Sequence, residues 1–111
     1  MWRDSAFLLD MLVAAKRAVR YVEPISKEAF LGSDLHQDAV VRALAVIGEA
    51  AARITSEVRD AYPEIPWIEI IGMRNRLIHE YFRADLERVW ETVIKDIPVL
   101  IEILQKIVPP D

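Results

Sequence analysis

Eight consecutive residues in the second half of this 111-residue chain gather side chains that bind anions and move protons. Arg74 and Arg76 carry planar guanidinium groups, whose five N–H donors suit the oxygens of a phosphate. His79 is the type of side chain that exchanges protons near neutral pH, and Tyr81 adds a phenol two residues later. Asn75 follows the first arginine directly. These residue types suit a site that binds a phosphodiester and moves protons around it.

The spacing of these residues on a helix decides which of them can meet. Asn75 and His79 are four apart and share a face, as do Arg76 and His79 at three apart. Arg74 and His79 are five apart and diverge by about 140°. They converge only if the Arg74 side chain reaches around the helix, if the helix loosens near its end, or if a second copy supplies the partner. This geometry favours a site at a two-fold interface, where the cations would be doubled.

Composition limits the class of protein. The length is enough for one domain, residues 1–111, that buries roughly two-thirds of its unfolded surface. A hydrophobic content of 53% with only 3 Gly predicts a compact, helix-rich core. The formal net charge of -4 argues against a surface that binds nucleic acid everywhere, so any such contact must come from a local cationic pocket.

Several other classes find no support in the sequence. With 0 Cys, neither a disulfide framework nor a thiolate metal site is possible. Two distant histidines with scattered acids do not form a metal site, and there is no Gly-rich phosphate loop. We therefore expect no metal and no cofactor. No run approaches the roughly 18 apolar residues of a membrane span, and no secretory signal is visible, so we expect a cytoplasmic protein without a membrane partner.

Apolar residues recur at helical spacing along most of the chain and predict an all-α fold. Ser26 is expected to cap a short helix, Asp85 to cap the last one, and Pro98 to cause a kink or break near Ile97. The architecture is predicted to be an antiparallel four-helix bundle with a short extra helix. The predicted helices run from about Asp4 to Val22, Ser26 to Leu31, Asp34 to Tyr62, Pro66 to near Phe82, and from Asp85 onwards.

Gly48 stands among alanines inside the predicted long helix. Because glycine in the interior of a helix costs about 1 kcal/mol relative to alanine, we expect it to allow a close approach of another helix. The same run of small residues would also be compatible with a purely structural oligomerisation domain.

The charged residues have simpler interpretations that compete with a site. The arginines of the motif region could form a solvated face paired with Glu80 and Glu87; they are Arg74, Arg76, Arg83 and Arg88. His36 is expected to be a surface residue, which leaves His79 as the histidine in a helix.

A second polar line follows the long helix through Asp38, Arg42, Glu49 and Arg53. Its members at four apart could form surface ion pairs worth a few tenths of a kcal/mol each. Alternatively, Glu49 or Arg53 borders a cleft that faces the segment around His79.

The chain resembles HepT-type members of the HEPN superfamily, the partners of minimal nucleotidyltransferases. The family signature Arg-x4-His-x-Tyr is matched by Arg74, His79 and Tyr81, with the usual Asn75 after the arginine. The flanking segments 47–51, 65–67 and 71–75 are also similar, and the likeness covers nearly the whole chain. The resemblance implies an all-helical bundle that forms a homodimer and places two such motifs at a shared cleft.

Family members are toxins that cleave RNA without a metal, so the resemblance implies that Arg74 and His79 are catalytic. His79 would take the proton of the RNA 2′-OH or protonate the leaving oxygen, a contribution of about 10²–10⁴-fold. Arg74 would brace the phosphate and its developing charge. The expected supporting residues are Asn75, Arg76 and Glu49.

The resemblance also implies a partner. A minimal nucleotidyltransferase would act as antitoxin, by binding and by transferring AMP to Tyr81. A phenol, with an ordinary pKa near 10, suits this acceptor role better than that of a base. The alternative function is a non-catalytic module that binds a nucleotide or presents Tyr81 to the nucleotidyltransferase. The net negative charge of the chain favours this alternative.

Overall fold

A computed structural model of the chain describes residues 2–79 and 85–108, and nearly all of them are helical. The all-α fold class is therefore confirmed. Seven α-helices and one π-helical segment follow one another in these ranges: α1 (Trp2–Val22), α2 (Lys27–Leu31), α3 (Asp34–Arg53), α4 (Ser56–Ala61), α5 (Trp67–His79), α6 (Leu86–Glu91), the π-helical segment Thr92–Asp96, and α7 (Ile97–Ile107).

Four of these helices form the bundle. α1 packs against α3 and α7, and α3 packs against α5. Their inward-facing side chains join in one hydrophobic core, in which the largest fully buried residues include Met11, Phe30, Leu44, Ile47 and Leu104. Burial of each such side chain contributes about 1.5–3 kcal/mol. This core is the rigid base on which α5, the helix with the motif residues, is mounted.

The predicted short helix and the predicted caps are confirmed. The Ser26 hydroxyl accepts a hydrogen bond from the backbone N–H of Ala29 at 3.1 Å. The Asp85 carboxylate accepts one from the N–H of Arg88 at 3.2 Å. Each side chain pairs an N–H that the first turn of a helix leaves without a partner.

The prediction of one helix from Asp34 to Tyr62 is wrong. α3 ends at Arg53, and Ile54 and Thr55 have extended backbone before α4 begins. The Thr55 side chain caps α4 by accepting a hydrogen bond from Val58 N at 3.4 Å. The apolar alternation concealed this cap, because Ile54 and Val58 contribute to the core on both sides of the break.

The buried carboxylate of Asp4, near the start of the chain, holds the break between α3 and α4 in place. Asp4 in α1 is only 3% exposed. It accepts hydrogen bonds from both the backbone N–H and the hydroxyl of Thr55, each at 2.9 Å. The start of α1 is thereby tied to the junction between α3 and α4.

The irregularity expected near Ile97 takes the form of a π-helical segment rather than a break. Proline has no N–H, and its ring crowds the carbonyl four residues earlier, so a wider turn before Pro98 relieves both problems. The backbone of Asp96 and Ile97 stays in the right-handed helical region. α6, the π-helical segment and α7 therefore follow each other without interruption.

We expect Asp4→Ala to lower the free energy of unfolding by about 2 kcal/mol, because the partly buried N–H and hydroxyl of Thr55 would lose their acceptor. Urea denaturation followed by circular dichroism measures the change. Asp10→Ala, which removes an exposed carboxylate from the same helix, is the control and should change the free energy by less than about 0.5 kcal/mol. Equal losses in the two variants would contradict the proposed tie.

Candidate active site

Arg74 lies where α5 packs most closely against α3. A Cβ added to the buried Gly48 would overlap the Cβ of Arg74, and would lie 2.8 Å from its Cγ and 3.1 Å from the carbonyl oxygen of Ile70. The predicted close approach at Gly48 is confirmed, and the approaching residue is the first arginine of the motif. Gly48 therefore faces a helix of its own chain, while the alternative of a structural oligomerisation domain, which was based on the whole run of small residues, is not tested by this contact.

Arg74 is half-buried, and the Nη1 end of its guanidinium lies at the surface. Nη1 donates a hydrogen bond to Oδ1 of Asn75 at 2.9 Å. Nε is buried, and it is the one buried side-chain nitrogen or oxygen without a hydrogen-bond partner among residues 2–79 and 85–108. An unpaired buried donor costs about 1–3 kcal/mol. Packing over Gly48, rather than polar pairing along the stem, holds this arginine in place.

Asn75 and His79 share the exposed face of α5, as predicted. The helix keeps α-helical backbone as far as His79, so it does not loosen before that residue. The Cα of Arg74 still diverges from that of His79 by about 140° around the axis. Its guanidinium nevertheless reaches Asn75, which lies one turn from His79. The structure thus links Arg74 to Asn75, and the meeting of Arg74 with His79 stays a prediction.

The two other predicted supporting residues lie in two different grooves. Arg76 is exposed and lines a groove between α5 and the α6–α7 side of the bundle, together with Arg88. Glu49 lines a different groove on the α1 side of α3, next to Phe7, whereas its neighbour Gly48 faces α5. One chain does not bring Arg76 and Glu49 together, and their supporting roles stay predictions.

One of the predicted ion pairs is confirmed. Glu49 and Arg53 form an exposed pair with an N–O distance of 3.4 Å, which is worth a few tenths of a kcal/mol at the surface. Arg53 also lies 6.0 Å above the ring of Phe7. Glu87 pairs with Lys27, at 3.9 Å.

His36 is not the plain surface residue that the sequence suggested. It is half-buried in the first turn of α3, and its Nδ1 shares a hydrogen bond of 2.6 Å with the Ser33 hydroxyl. The same hydroxyl accepts the backbone N–H of His36 at 3.3 Å and so caps the helix. Both histidines therefore lie in helices, and His36 has a structural role there.

Tyr81, Glu80 and Arg83 lie outside the described residues, and what was predicted for them stays a prediction. In the part of the chain that the structure does describe, no group of three or more potential metal ligands occurs. No helix in this part is long and apolar enough to cross a membrane.

The fold and the exposed Arg–Asn–His cluster define a class, the small helical-bundle proteins with an arginine and a histidine five residues apart on one helix. Residues 11–107 match the family model described as "Ribonuclease HepT-like". The chain belongs to this HepT-like ribonuclease family.

Curated relatives support the same assignment. The chain is 39% identical over 94 residues to the Methanocaldococcus jannaschii protein named "Putative RNase MJ1380", a match that covers 85% of this chain and 86% of the relative. It is 42% identical over 94 residues, with the same two shares, to the "Probable ribonuclease HepT" of Thermococcus cleftensis. It is 40% identical over 104 residues to "Putative RNase TTE0752" of Caldanaerobacter subterraneus, covering 90% of this chain and 93% of that protein. No solved structure gives a significant match.

The two glycines nearest the site should respond oppositely to alanine. Gly48→Ala should lower the free energy of unfolding by about 1–3 kcal/mol, because the new methyl group has no room beside Arg74. Gly72→Ala should raise it by about 0.5–1 kcal/mol, since the nearest atom there is Nη1 of Arg76 at 3.8 Å and alanine favours the helix. Chemical denaturation of both variants measures the difference. A neutral or stabilising Gly48→Ala would disprove the close contact.

Proposed function

We propose that this protein is a metal-independent endoribonuclease toxin whose active site contains Arg74, Asn75 and His79. The observation that carries the proposal is the Arg74 side chain: its stem packs over Gly48, and its guanidinium donates a hydrogen bond to Asn75, one turn from His79. Membership of the HepT-like ribonuclease family supports an RNA substrate. The three side chains supply a phosphate clamp, a hydrogen-bonding amide and a proton carrier.

RNA provides its own nucleophile, so the protein need not supply one. The 2′-oxygen attacks the adjacent phosphorus, the new O2′–P bond forms and the P–O5′ bond breaks, leaving a 2′,3′-cyclic phosphate and a 5′-OH. One imidazole takes the proton from the 2′-OH, and a proton must reach the leaving 5′-oxygen. Arg74 stabilises the negative charge that develops on the phosphate oxygens.

The need for a base and an acid in one step favours two copies of His79. We propose that a homodimer supplies them through the exposed face of α5. Ile68 is 84% exposed and Ile78 49%. Ile68 lies seven and eleven residues before Asn75 and His79, and therefore on the same side of the helix. A second copy that covers this face would bury Ile68 and bring the two histidines to one cleft.

The proposal includes a minimal nucleotidyltransferase as antitoxin in the same cytoplasm. It would bind the toxin and transfer AMP from ATP to Tyr81, so that the phenol oxygen bonds to the α-phosphorus and pyrophosphate leaves. An AMP group on this residue would bring a phosphate and considerable bulk close to the motif arginine. The phosphate would satisfy the cation, and the bulk would obstruct RNA. The second candidate is a non-catalytic docking module, for which the net charge of -4 is the supporting observation.

Cleavage of RNA in the presence of EDTA tests the proposal. The wild-type protein should cut, and both His79→Ala and Arg74→Met should lose at least about 10²-fold of the rate. Arg74→Met keeps the stem over Gly48 and removes the unpaired Nε, so its free energy of unfolding should not fall. His36→Ala, which removes the other histidine, is the control and should keep cutting. Persisting cleavage in both motif variants would reveal a contaminating nuclease and refute the proposal.

Co-expression with a minimal nucleotidyltransferase encoded beside this gene tests the proposed antitoxin. Mass spectrometry should find added AMP on Tyr81, and the modified protein should no longer cut RNA. An unmodified Tyr81 would confine the antitoxin to inhibition by binding.

The dimer is tested by charge on the α5 face. Ile68→Glu should convert the dimer into a monomer in light scattering coupled to gel filtration, because the buried glutamate would lack a partner, and cleavage should fall with it. Leu35→Glu is the matched control: Leu35 is 77% exposed on α3, and its replacement should leave both properties unchanged. A wild-type protein that is monomeric yet fully active would exclude the shared site.

A further inference from the structure

A groove of about 520 Å³ lies along the open side of the bundle, between α5 and the continuous helix formed by α6, the π-helical segment and α7. The groove forms because α5 packs mainly against α3, whereas α7 packs against α1. The floor of the groove is aliphatic and includes Ile70, Met73, Ile97, Leu100 and Ile103. Among the described residues, none of the side chains that line the groove is aromatic.

Charged side chains of opposite sign lie at different places along this groove. Arg76 is in the last turn of α5 and Arg88 in the first turn of α6, so the short connection between the two helices keeps both arginines toward one end. Glu69 lies seven residues before Arg76, about 10 Å along the helix axis. Asp96 lines the groove eight residues after Arg88. The groove therefore has a cationic end and an acidic region further along.

The cationic end adjoins the candidate active site. Arg76 precedes His79 by three residues, which places the two side chains on neighbouring positions of the α5 surface. A strand of RNA whose scissile phosphate lies at His79 would therefore have its next nucleotide close to Arg76 and Arg88. Paired guanidinium groups are suited to the oxygens of a phosphate.

We infer that this groove is a subsite for the single nucleotide next to the cleaved phosphodiester. The phosphate of that nucleotide lies between Arg76 and Arg88, and its unstacked base lies over Met73 and Ile70. The donor edge of the base faces the carboxylates of Glu69 or Asp96. This inference rests on the proposed function and adds to it the part of the RNA that the chain reads.

The chemistry of the groove also selects among bases. Proteins read single-stranded RNA through bases turned out of the stack, with hydrogen bonds to their Watson–Crick edges. Carboxylates accept hydrogen bonds and repel a further phosphate, so the acidic region admits a base edge rather than more backbone. Guanine presents N1–H and N2–H side by side, which match the two oxygens of one carboxylate. Guanine is therefore the base that fits best.

The other occupant that an aliphatic groove could receive is an amphipathic helix of a partner protein. The two arginines at the end nearest His79 favour the nucleotide, because they place an anion site beside the proposed point of cleavage. The helix is an outcome that the following experiment distinguishes.

Methionine methyl groups report binding in the groove directly. The cleavage-deficient His79→Ala protein, labelled with 13C in its methionine methyl groups, is titrated with 5′-GMP, 5′-UMP and inorganic phosphate. The Met73 signal should shift saturably with 5′-GMP, and more weakly with the other two. Met11, which is 0% exposed in the core, should not shift. Arg88→Glu should weaken binding of 5′-GMP at least about tenfold, the loss expected for one charge-assisted phosphate contact.

Arg17→Glu is the matched control for Arg88→Glu. Arg17 is an exposed arginine in the groove between α1 and α3, and its reversal changes the net charge by the same amount. It should leave the affinity for 5′-GMP within about twofold. In the active protein, Arg88→Gln should raise KM for a short RNA about tenfold and leave kcat unchanged, as expected when uniform binding is lost.

The outcomes separate this inference from the proposed function. If Met73 stays unshifted at saturating nucleotide while the wild-type protein still cuts RNA in EDTA, the subsite is wrong and the nuclease stands. If Arg17→Glu weakens binding as much as Arg88→Glu, the binding is only general electrostatics and the subsite is again wrong. If Met73 ignores nucleotides but shifts when a nucleotidyltransferase is added, the groove belongs to a partner helix. If Met73 responds as expected but no variant of the motif affects cleavage, the groove binds a nucleotide, whereas the nuclease assignment falls and with it the role of the groove in cleavage.

Discussion

The contact between Gly48 and Arg74 is the constraint on which the rest of the site depends. Without a side chain at Gly48, α3 and α5 come close enough for the arginine stem to lie in the helix interface. The stem then has one exit, toward Asn75, and its Nε is left without a partner. In a loosely attached surface arginine, Nε would be accessible to water, which would accept its hydrogen bond. The unpaired Nε lowers the stability of the fold slightly, while the packing of the stem fixes the position of the guanidinium. Such a combination is common at functional sites.

The rest of the bundle holds α5 in place from one side and leaves it open on the other. Asp4 ties the start of α1 to Thr55, which ends the α3 region and directs the chain back toward α5. The π-helical segment carries the last helix past Pro98 without a break, so that α7 reaches its place against α1. α5 is consequently packed on α3 while its other surfaces stay available. One of them carries Asn75 and His79, and another borders the groove with Arg76.

In the proposed function a second copy is needed, because each chain supplies only one imidazole of the motif. One imidazole cannot take a proton from the attacking oxygen and protonate the leaving oxygen at the same moment. The exposed Ile68 on the α5 face is apolar surface that a second copy would cover, and it shares that face with the histidine. Arg76 lines the groove instead, and under the proposal it would bind RNA there rather than at the point of cleavage.

The sequence by itself determined the helical class, most helix boundaries, the caps at Ser26 and Asp85, and the need for close packing at Gly48, because all of these follow from local spacing and backbone chemistry. It also determined that Asn75 and His79 share a face. Only the tertiary structure decided what approaches Gly48, why the long helix breaks at Thr55, and that Glu49 and Arg76 lie in separate grooves. These depend on contacts between residues far apart in the chain, such as Asp4 with Thr55 across 51 positions, and no local pattern encodes them. The sequence named the side chains that could do the chemistry, while packing decided which of them can meet.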